Sequence, residues 1–172
     1  MRSTLQVSIL ALIALLAAGV VQAQATVQPN PVSPMPPVSY GAPVSLANAK
    51  KVTAAATAEA HRIGVPMVVA ITDPAGVLIY LEKNDIAIAG GVNVAPAKAR
   101  SAALYKRPTK AFEDALAAGG AGMRILALAD AVPVEGGLPI VIDGKLVGAI
   151  GVSGGTPAQD GIVAKAGIDA LR

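Results

Sequence analysis

The sequence predicts one small α/β domain, of the α+β kind, in which helices pack against an antiparallel sheet. Apolar runs typical of strands are joined by tight-turn signals, so successive strands are expected to pair antiparallel. Helical patterns precede and follow these strands in the order helix, hairpin, helices, two or three strands, helix, which is not the alternation of a Rossmann-type fold. The predicted domain covers residues 45–172, after a signal peptide at 1–25 and a proline-rich linker at 26–44.

The first 25 residues have the polarity of a signal peptide. Arg2 supplies a positive start, an uncharged apolar run covers residues 7–21, and small residues at 21–23 or 23–25 suit cleavage after Ala23 or Ala25. A transmembrane anchor is the alternative, but the run is shorter than the roughly 20 residues that a spanning helix needs. The sequence therefore predicts a periplasmic or secreted protein with no membrane contact after cleavage.

Composition excludes several classes of protein. The 14 Lys and Arg residues outnumber the 11 Asp and Glu residues only slightly, and they are scattered without an aromatic ladder, which argues against nucleic-acid binding. The absence of cysteine excludes disulfides and thiolate metal sites.

The prolines of 26–44 predict an extended spacer, with a strap across a neighbouring subunit as the alternative.

The first half of the domain is predicted as a helix followed by a β-hairpin. Ser45 is a suitable N-cap for the alanine-rich helical pattern at 46–63. The apolar, β-branched runs at 67–72 and 77–82 flank Asp73-Pro74-Ala75-Gly76, whose residues favour a tight turn.

The second half adds helices and then strands. Residues 95–106 predict a helix that Pro108 ends, and Thr109 is the expected N-cap of a second helix at 110–118. A further helical turn is a candidate at 123–128. Short strands are expected at 132–135, 138–142 and 145–152, the last two joined by Asp143-Gly144, a strong type I′ turn signal.

A glycine-rich loop at 148–155 leads into the last helix, where Thr156, Pro157 and Gln159 form a capping box with proline at the first helical position. Backbone amides at such a helix start favour an anion. The anion-binding candidates are Gly154, Gly155 and Thr156. Because no Walker lysine or G-x-G-x-x-G pattern accompanies them, the alternative that glycine only allows a close strand-to-helix turn is favoured.

No ordinary catalytic constellation is present, so no catalytic residue is predicted. His61 is the only histidine, and helical spacing places it on the wet face of the first helix, as a surface residue rather than a ligand. Asp73, Glu82 and Asp85 are the other conceivable bases, each equally explained by turn or surface placement. Catalysis is left open, and a non-enzymatic role is favoured.

Cations gather beside a hydroxyl at residues 98–109. The helix that carries them leads into Pro108 and a threonine, a setting that suits an organic acid or the propionates of a porphyrin. Its residues are Lys98, Arg100, Tyr105, Lys106 and Arg107. A solvated basic helix face explains the same residues equally well.

Three segments together resemble the GlcG/HbpS family, which includes haem-binding proteins. They are 63–76 (IGVPMVVAITDPAG), 97–109 (AKARSAALYKRPT) and 136–160 (GGLPIVIDGKLVGAIGVSGGTPAQD). The resemblance extends over residues 45–172. It implies a profilin-like α-β-α sandwich with a five-stranded antiparallel sheet and flanking helices, and a homo-oligomer between a dimer and an octamer.

The resemblance also implies haem as the cofactor, while the metal ligands stay unassigned. Thr109 matches the position where a haem-binding member places an oxygen ligand near the iron, with Lys98, Tyr105 and Arg107 as neighbours. Residues 82–91 depart from the Arg-Met-Asp-Gly-Ala stretch common in the family. With just four aromatic residues, a weak surface haem site is favoured over a deep cavity.

The leading functional hypothesis is therefore an exported haem-binding protein that takes part in haem or iron sensing or handling. One alternative is the binding or processing of a small organic acid of the glycolate type. Another is a non-enzymatic oligomeric module that binds a partner.

Overall fold

The computed structural model describes residues 38–172. The predicted signal peptide and the linker up to residue 37 lie outside the described residues. Among residues 38–172, no helix has both the length and the apolar character that crossing a membrane requires.

The described chain contains five strands, four α-helices and one 3-10 helix. In chain order they are β1 (Ser39–Tyr40), α1 (Leu46–Arg62), β2 (Val68–Thr72), β3 (Leu78–Lys83), α2 (Gly91–Tyr105), α3 (Thr109–Ala117), the 3-10 helix (Gly120–Ala127), β4 (Gly137–Ile142), β5 (Lys145–Ser153) and α4 (Pro157–Asp169).

Strand β5 is the centre of the sheet. One of its edges pairs antiparallel with β4, and the other pairs antiparallel with β2, which in turn pairs with β3. β1 runs parallel to the start of β5, with Ser39 opposite Lys145. The sheet is therefore mixed, and the prediction of a purely antiparallel sheet is wrong for this pair. The reason is that β1 is joined to the sheet through α1, so no tight turn dictates its direction.

Helices cover both faces of the sheet, which confirms the α-β-α layout. Alternate residues of β2 point to opposite faces. Val69 and Ile71 pack in the larger core with α1 and α4, whereas Val68 and Ala70 pack against α2. Because both faces are covered, all five residues of β2 are buried.

Helix α2 lies unusually close to β5, because small residues line both surfaces. Ala95 and Ala99 of the helix are fully buried over Gly151 of the strand. A Cβ on Gly151 would overlap the carbonyl oxygen of Ala95 and lie 2.5 Å from the amide nitrogen of Ala99. The backbone of the helix therefore rests almost directly on the backbone of the strand.

The capping predictions at Ser45 and Thr156 and the turn prediction at Asp143-Gly144 are confirmed. The Ser45 hydroxyl accepts a hydrogen bond from the amide of Asn48 (3.2 Å), and Thr156 and Gln159 form the capping box of α4. Asp143 and Gly144 both have positive φ, 50° and 72°, as a type I′ turn requires.

Three element predictions need correction. α2 begins at Gly91, four residues earlier than expected, because Gly91 packs tightly on Val68 of the sheet. Residues 132–135 form no strand, since side chains of α2 and α3 hold that segment as a loop. Thr109 is not the N-cap of α3 but its first helical residue, and its hydroxyl bonds elsewhere.

Candidate functional site

Lys98 occupies a buried position on α2 and not the exposed basic face that the sequence suggested. Its side chain is 1% exposed. The ammonium donates hydrogen bonds to Asp160 Oδ2 at 2.6 Å and to the carbonyl oxygen of Val152 at 3.1 Å. These contacts join α2 to α4 and to β5. The positive charge is thus neutralised inside the protein.

Asp160 connects this ion pair to the glycine-rich loop. Its second carboxylate oxygen accepts a hydrogen bond from the amide of Gly155 at 3.0 Å. Burial raises the pKa of the Asp160 carboxyl, whereas the hydrogen bond from Lys98 and the amides of Gly155 and Gly154 oppose that rise. The anion at the start of α4 is therefore a carboxylate of the chain itself.

A second of the three predicted anion donors is also engaged. The amide of Thr156 donates to Gln159 Oε1 at 2.9 Å, within the capping box. With the Gly155 amide bound to Asp160, these two predicted donors have partners inside the chain. The geometry therefore does not favour an organic acid at this loop. The sequence signal was the Asp four residues after Thr156, in the first turn of α4.

Thr109 is enclosed between α3 and the start of β4. Its side chain is fully buried, and Oγ1 accepts a hydrogen bond from the amide of Gly137 at 2.9 Å. The backbone carbonyl of Lys98 borders the same glycine, and a Cβ there would lie 2.6 Å from Thr109 Cγ2. The threonine hydroxyl therefore has no open path to an external molecule in this arrangement.

Tyr105, which is half-buried, and Arg107, which is exposed, both contact the ring of Phe112. The Tyr105 hydroxyl donates to the carbonyl of Ala129 at 2.5 Å. The tyrosine ring meets Phe112 edge to face at 5.2 Å, and the Arg107 guanidinium lies 5.5 Å from the same phenylalanine ring. Of the four predicted haem residues, Tyr105 and Arg107 therefore lie together against Phe112. Lys98 and Thr109 are buried inside the protein.

A cavity of about 290 Å³ opens beyond Pro108, between β4 and the end of α4. Its lining includes the apolar residues Leu138 and Ile168 and the basic residues Lys165 and Arg172. Neither Tyr105 nor Thr109 lines it. This cavity therefore does not give the predicted threonine access to a cofactor.

A larger cavity, of about 430 Å³, lies between the C-terminal end of α1 and the loop after β3. We call it the α1 cavity. Its lining comes from residues 57–61 of α1, from the segment 64–69, and from residues 82–86. The hairpin brings these segments together, since Val68 pairs with Lys83 and the Asn84 amide donates to the Met67 carbonyl.

Polar groups in the α1 cavity differ in whether they have partners. The Glu82 carboxylate accepts hydrogen bonds from the hydroxyls of Thr57 (2.9 Å) and Tyr80 (3.3 Å). His61, by contrast, is exposed, and its imidazole has no hydrogen-bond or ion-pair partner among residues 38–172. Its exposure agrees with the sequence prediction. The sequence did not reveal that it borders a cavity, because that depends on the register of the hairpin.

The α1 cavity is not a cage for a bare metal ion. Within residues 38–172, no three side chains of His, Cys, Asp or Glu are grouped so that they could hold one. A metal held here would have to bring most of its own ligands, as the iron of a porphyrin does.

Comparison with known proteins places these features in a wider context. Residues 44–169 match the family model described as "Haem degrading protein HbpS-like". Protein GlcG of Escherichia coli K12 is 37% identical over 105 residues, which cover 61% of this chain and 77% of GlcG.

Two solved structures share the fold over nearly their full length. A complex of PduOC with haem is 29% identical, with a TM-score of 0.68, over 74% of this chain and 94% of that chain. A double mutant of HbpS from Streptomyces reticuli is 25% identical, with a TM-score of 0.71, over 84% of this chain and 99% of that chain.

Proposed function

Because the chain belongs to the HbpS-like family, we propose that it is an exported protein that binds haem and takes part in haem or iron sensing or handling. The observation that carries the proposal is the match to the PduOC haem complex, which covers 94% of that chain. That match supports haem binding on the fold that this chain adopts. Bound haem would supply an iron centre that the protein side chains cannot provide by themselves.

A haem site needs several kinds of group. Such a site combines an iron donor, apolar walls and cations near the propionates. The junction predicted from the resemblance contains Thr109, Tyr105, Lys98 and Arg107, but its threonine and lysine have partners inside the protein. The haem site predicted at these four residues therefore remains a prediction.

Haem binding is tested by titrating the purified protein with hemin. We expect a saturable shift of the Soret band that ends near one haem per chain, because a defined site holds one porphyrin in one environment. The measurement is the absorbance difference against hemin in the same buffer, with a protein of similar size that does not bind haem as the control. A spectrum equal to that of free hemin at stoichiometric protein would contradict the proposal.

Export and assembly are further parts of the proposal. Export is supported by the charge and apolar pattern of residues 1–25. Assembly into a homo-oligomer is supported by Met123, Leu126 and Leu128 at the 3-10 helix, which are 52%, 63% and 45% exposed. Contiguous exposed apolar side chains commonly mark a contact surface.

Assembly is tested by light scattering at micromolar concentration. We expect a mass that is a multiple of the chain mass, and we expect Leu126→Asp to lower it, because a carboxylate would be buried without a partner in the contact. Ile162→Asp on α4, where the isoleucine is 52% exposed, is the matched control. A monomer for the unaltered protein would contradict assembly.

A further inference from the structure

The α1 cavity has two carboxylates in its lining, and neither forms an ion pair among residues 38–172. We infer that this cavity binds a small aliphatic amine in its protonated form and that the Glu82 carboxylate receives the ammonium group. The inference goes beyond the proposed function, because it concerns a ligand other than haem and uses none of the residues predicted to hold haem.

The first argument is the state of the Glu82 carboxylate. Glu82 is half-buried on β3 and accepts hydrogen bonds from the hydroxyls of Thr57 (2.9 Å) and Tyr80 (3.3 Å). Both hydroxyls are neutral, so they orient the carboxylate without cancelling its charge. Each carboxylate oxygen also has a second electron pair that can accept a further hydrogen bond. Because a half-buried charge without a counter-ion is costly, the carboxylate favours a cation from solution.

The second argument is the sign of the charge around the cavity. Asp85 lines it, is exposed, and has no hydrogen-bond or ion-pair partner for its carboxylate among residues 38–172. Lys83 is the single lysine or arginine among the described lining residues, and its ammonium donates to the backbone carbonyls of Asn84 (3.1 Å) and Asp85 (3.2 Å). The C-terminal end of α1 adds a partial negative charge. With His61 neutral, the lining is therefore net negative, which attracts cations and repels carboxylates.

The third argument is the shape of the cavity and its accessible apolar surface. Its volume of about 430 Å³ admits a small organic molecule. Ile86 lines it with 80% of its surface exposed, and Val65 and Pro66 are half-buried. These side chains can cover a chain of a few carbon atoms. The remaining apolar lining residues belong to the core and are at most 5% exposed, so a broad planar ligand would gain little contact here.

The inference is tested by two-dimensional NMR of the purified protein with 1,4-diaminobutane as the probe. We expect saturable shifts of backbone amide signals at residues 57–61, 64–69 and 82–86, with a Kd of about 1 mM or lower. Succinate is the control ligand, because it has the same number of carbon atoms but carries carboxylates in place of ammonium groups. We expect no binding of succinate to the net negative cavity.

A matched pair of variants tests the role of Glu82. Glu82→Gln should weaken binding of the diamine by about tenfold, because the amide keeps the size of the side chain and loses its charge. Glu113→Gln on α3 is the control. Glu113 is also half-buried, and its carboxylate also accepts a hydrogen bond, from the amide of Glu135 (2.6 Å), but it does not line the cavity. We expect its Kd to stay within about twofold of that of the unaltered protein, since salt screens a charge outside the site.

Four results would overturn the inference. They are no saturable shift with the diamine up to about 10 mM, shifts confined to residues outside the cavity, succinate binding as tightly as the diamine, and an unchanged Kd in Glu82→Gln. Circular dichroism verifies that both variants keep the fold. The comparison of the two ligands needs only the unaltered protein, so it decides the question even if Glu82→Gln does not fold. Hemin titration is a separate measurement, so failure of the amine site leaves the proposed haem binding standing, and the reverse also holds.

Discussion

Replacing Lys98 with methionine should destabilise the domain by about 3–5 kcal/mol at neutral pH, because it leaves the Asp160 carboxylate buried without its counter-ion. Both side chains are at most 4% exposed, so water cannot replace the lost contact. Urea unfolding followed by circular dichroism gives the free energy of unfolding. Lys110→Met is the matched control, since its ion pair with Asp114 is exposed and its loss should cost less than about 1 kcal/mol.

The effect of pH distinguishes a lost charge from lost packing. Burial already raises the pKa of Asp160, and the hydrogen bond from Lys98 opposes that rise, so removing the lysine should raise the pKa further. When the pKa of a carboxyl is higher in the folded than in the unfolded state, the folded state binds more protons. The free energy of unfolding of the protein therefore rises as the pH falls through the folded pKa. The deficit of Lys98→Met should therefore shrink between neutral pH and the normal carboxyl range. A deficit below about 1 kcal/mol at neutral pH would refute the structural role of the pair.

Gly151→Ala should cost about 3 kcal/mol of folding free energy, because the new methyl group would force α2 away from β5. The clash is with backbone atoms of Ala95 and Ala99, which no side-chain rotation can relieve. Thermal and urea unfolding measure the loss.

Gly90→Ala is the matched control for that substitution. Gly90 stands at the start of the same helix with a φ of −62°, and a Cβ there would meet nothing within 4 Å. We expect a change within about 0.5 kcal/mol. Equal effects at Gly90 and Gly151 would show that the close contact of helix and strand is not what requires glycine.

Elements whose ends depend on neighbouring residues could be predicted from the sequence. The cap at Ser45, the turn at Asp143-Gly144 and the capping box at Thr156 each use side chains within three residues, and each was found as expected. The early start of α2 was missed, because Gly91 enters the helix through contact with Val68 on the sheet. The parallel pairing of β1 was missed for the same reason, since its partner Lys145 is remote in sequence.

The candidate site was less predictable than the fold. The sequence placed Lys98 among surface cations because its partner Asp160 is 62 residues away. His61 was expected at the surface, and the structure agrees. Its place at a cavity follows from the hairpin register, which brings residues 82–86 beside the end of α1.

The long sequence separation of the Lys98–Asp160 pair also bears on how the domain folds. Closing a loop of 62 residues costs chain entropy, and the contact forms only once α4 has docked beside α2 and β5. Contacts of this kind tend to be absent from the folding transition state, where hairpins and single helices form first. The Lys98–Asp160 pair would then mainly slow unfolding and would leave the folding rate almost unaffected.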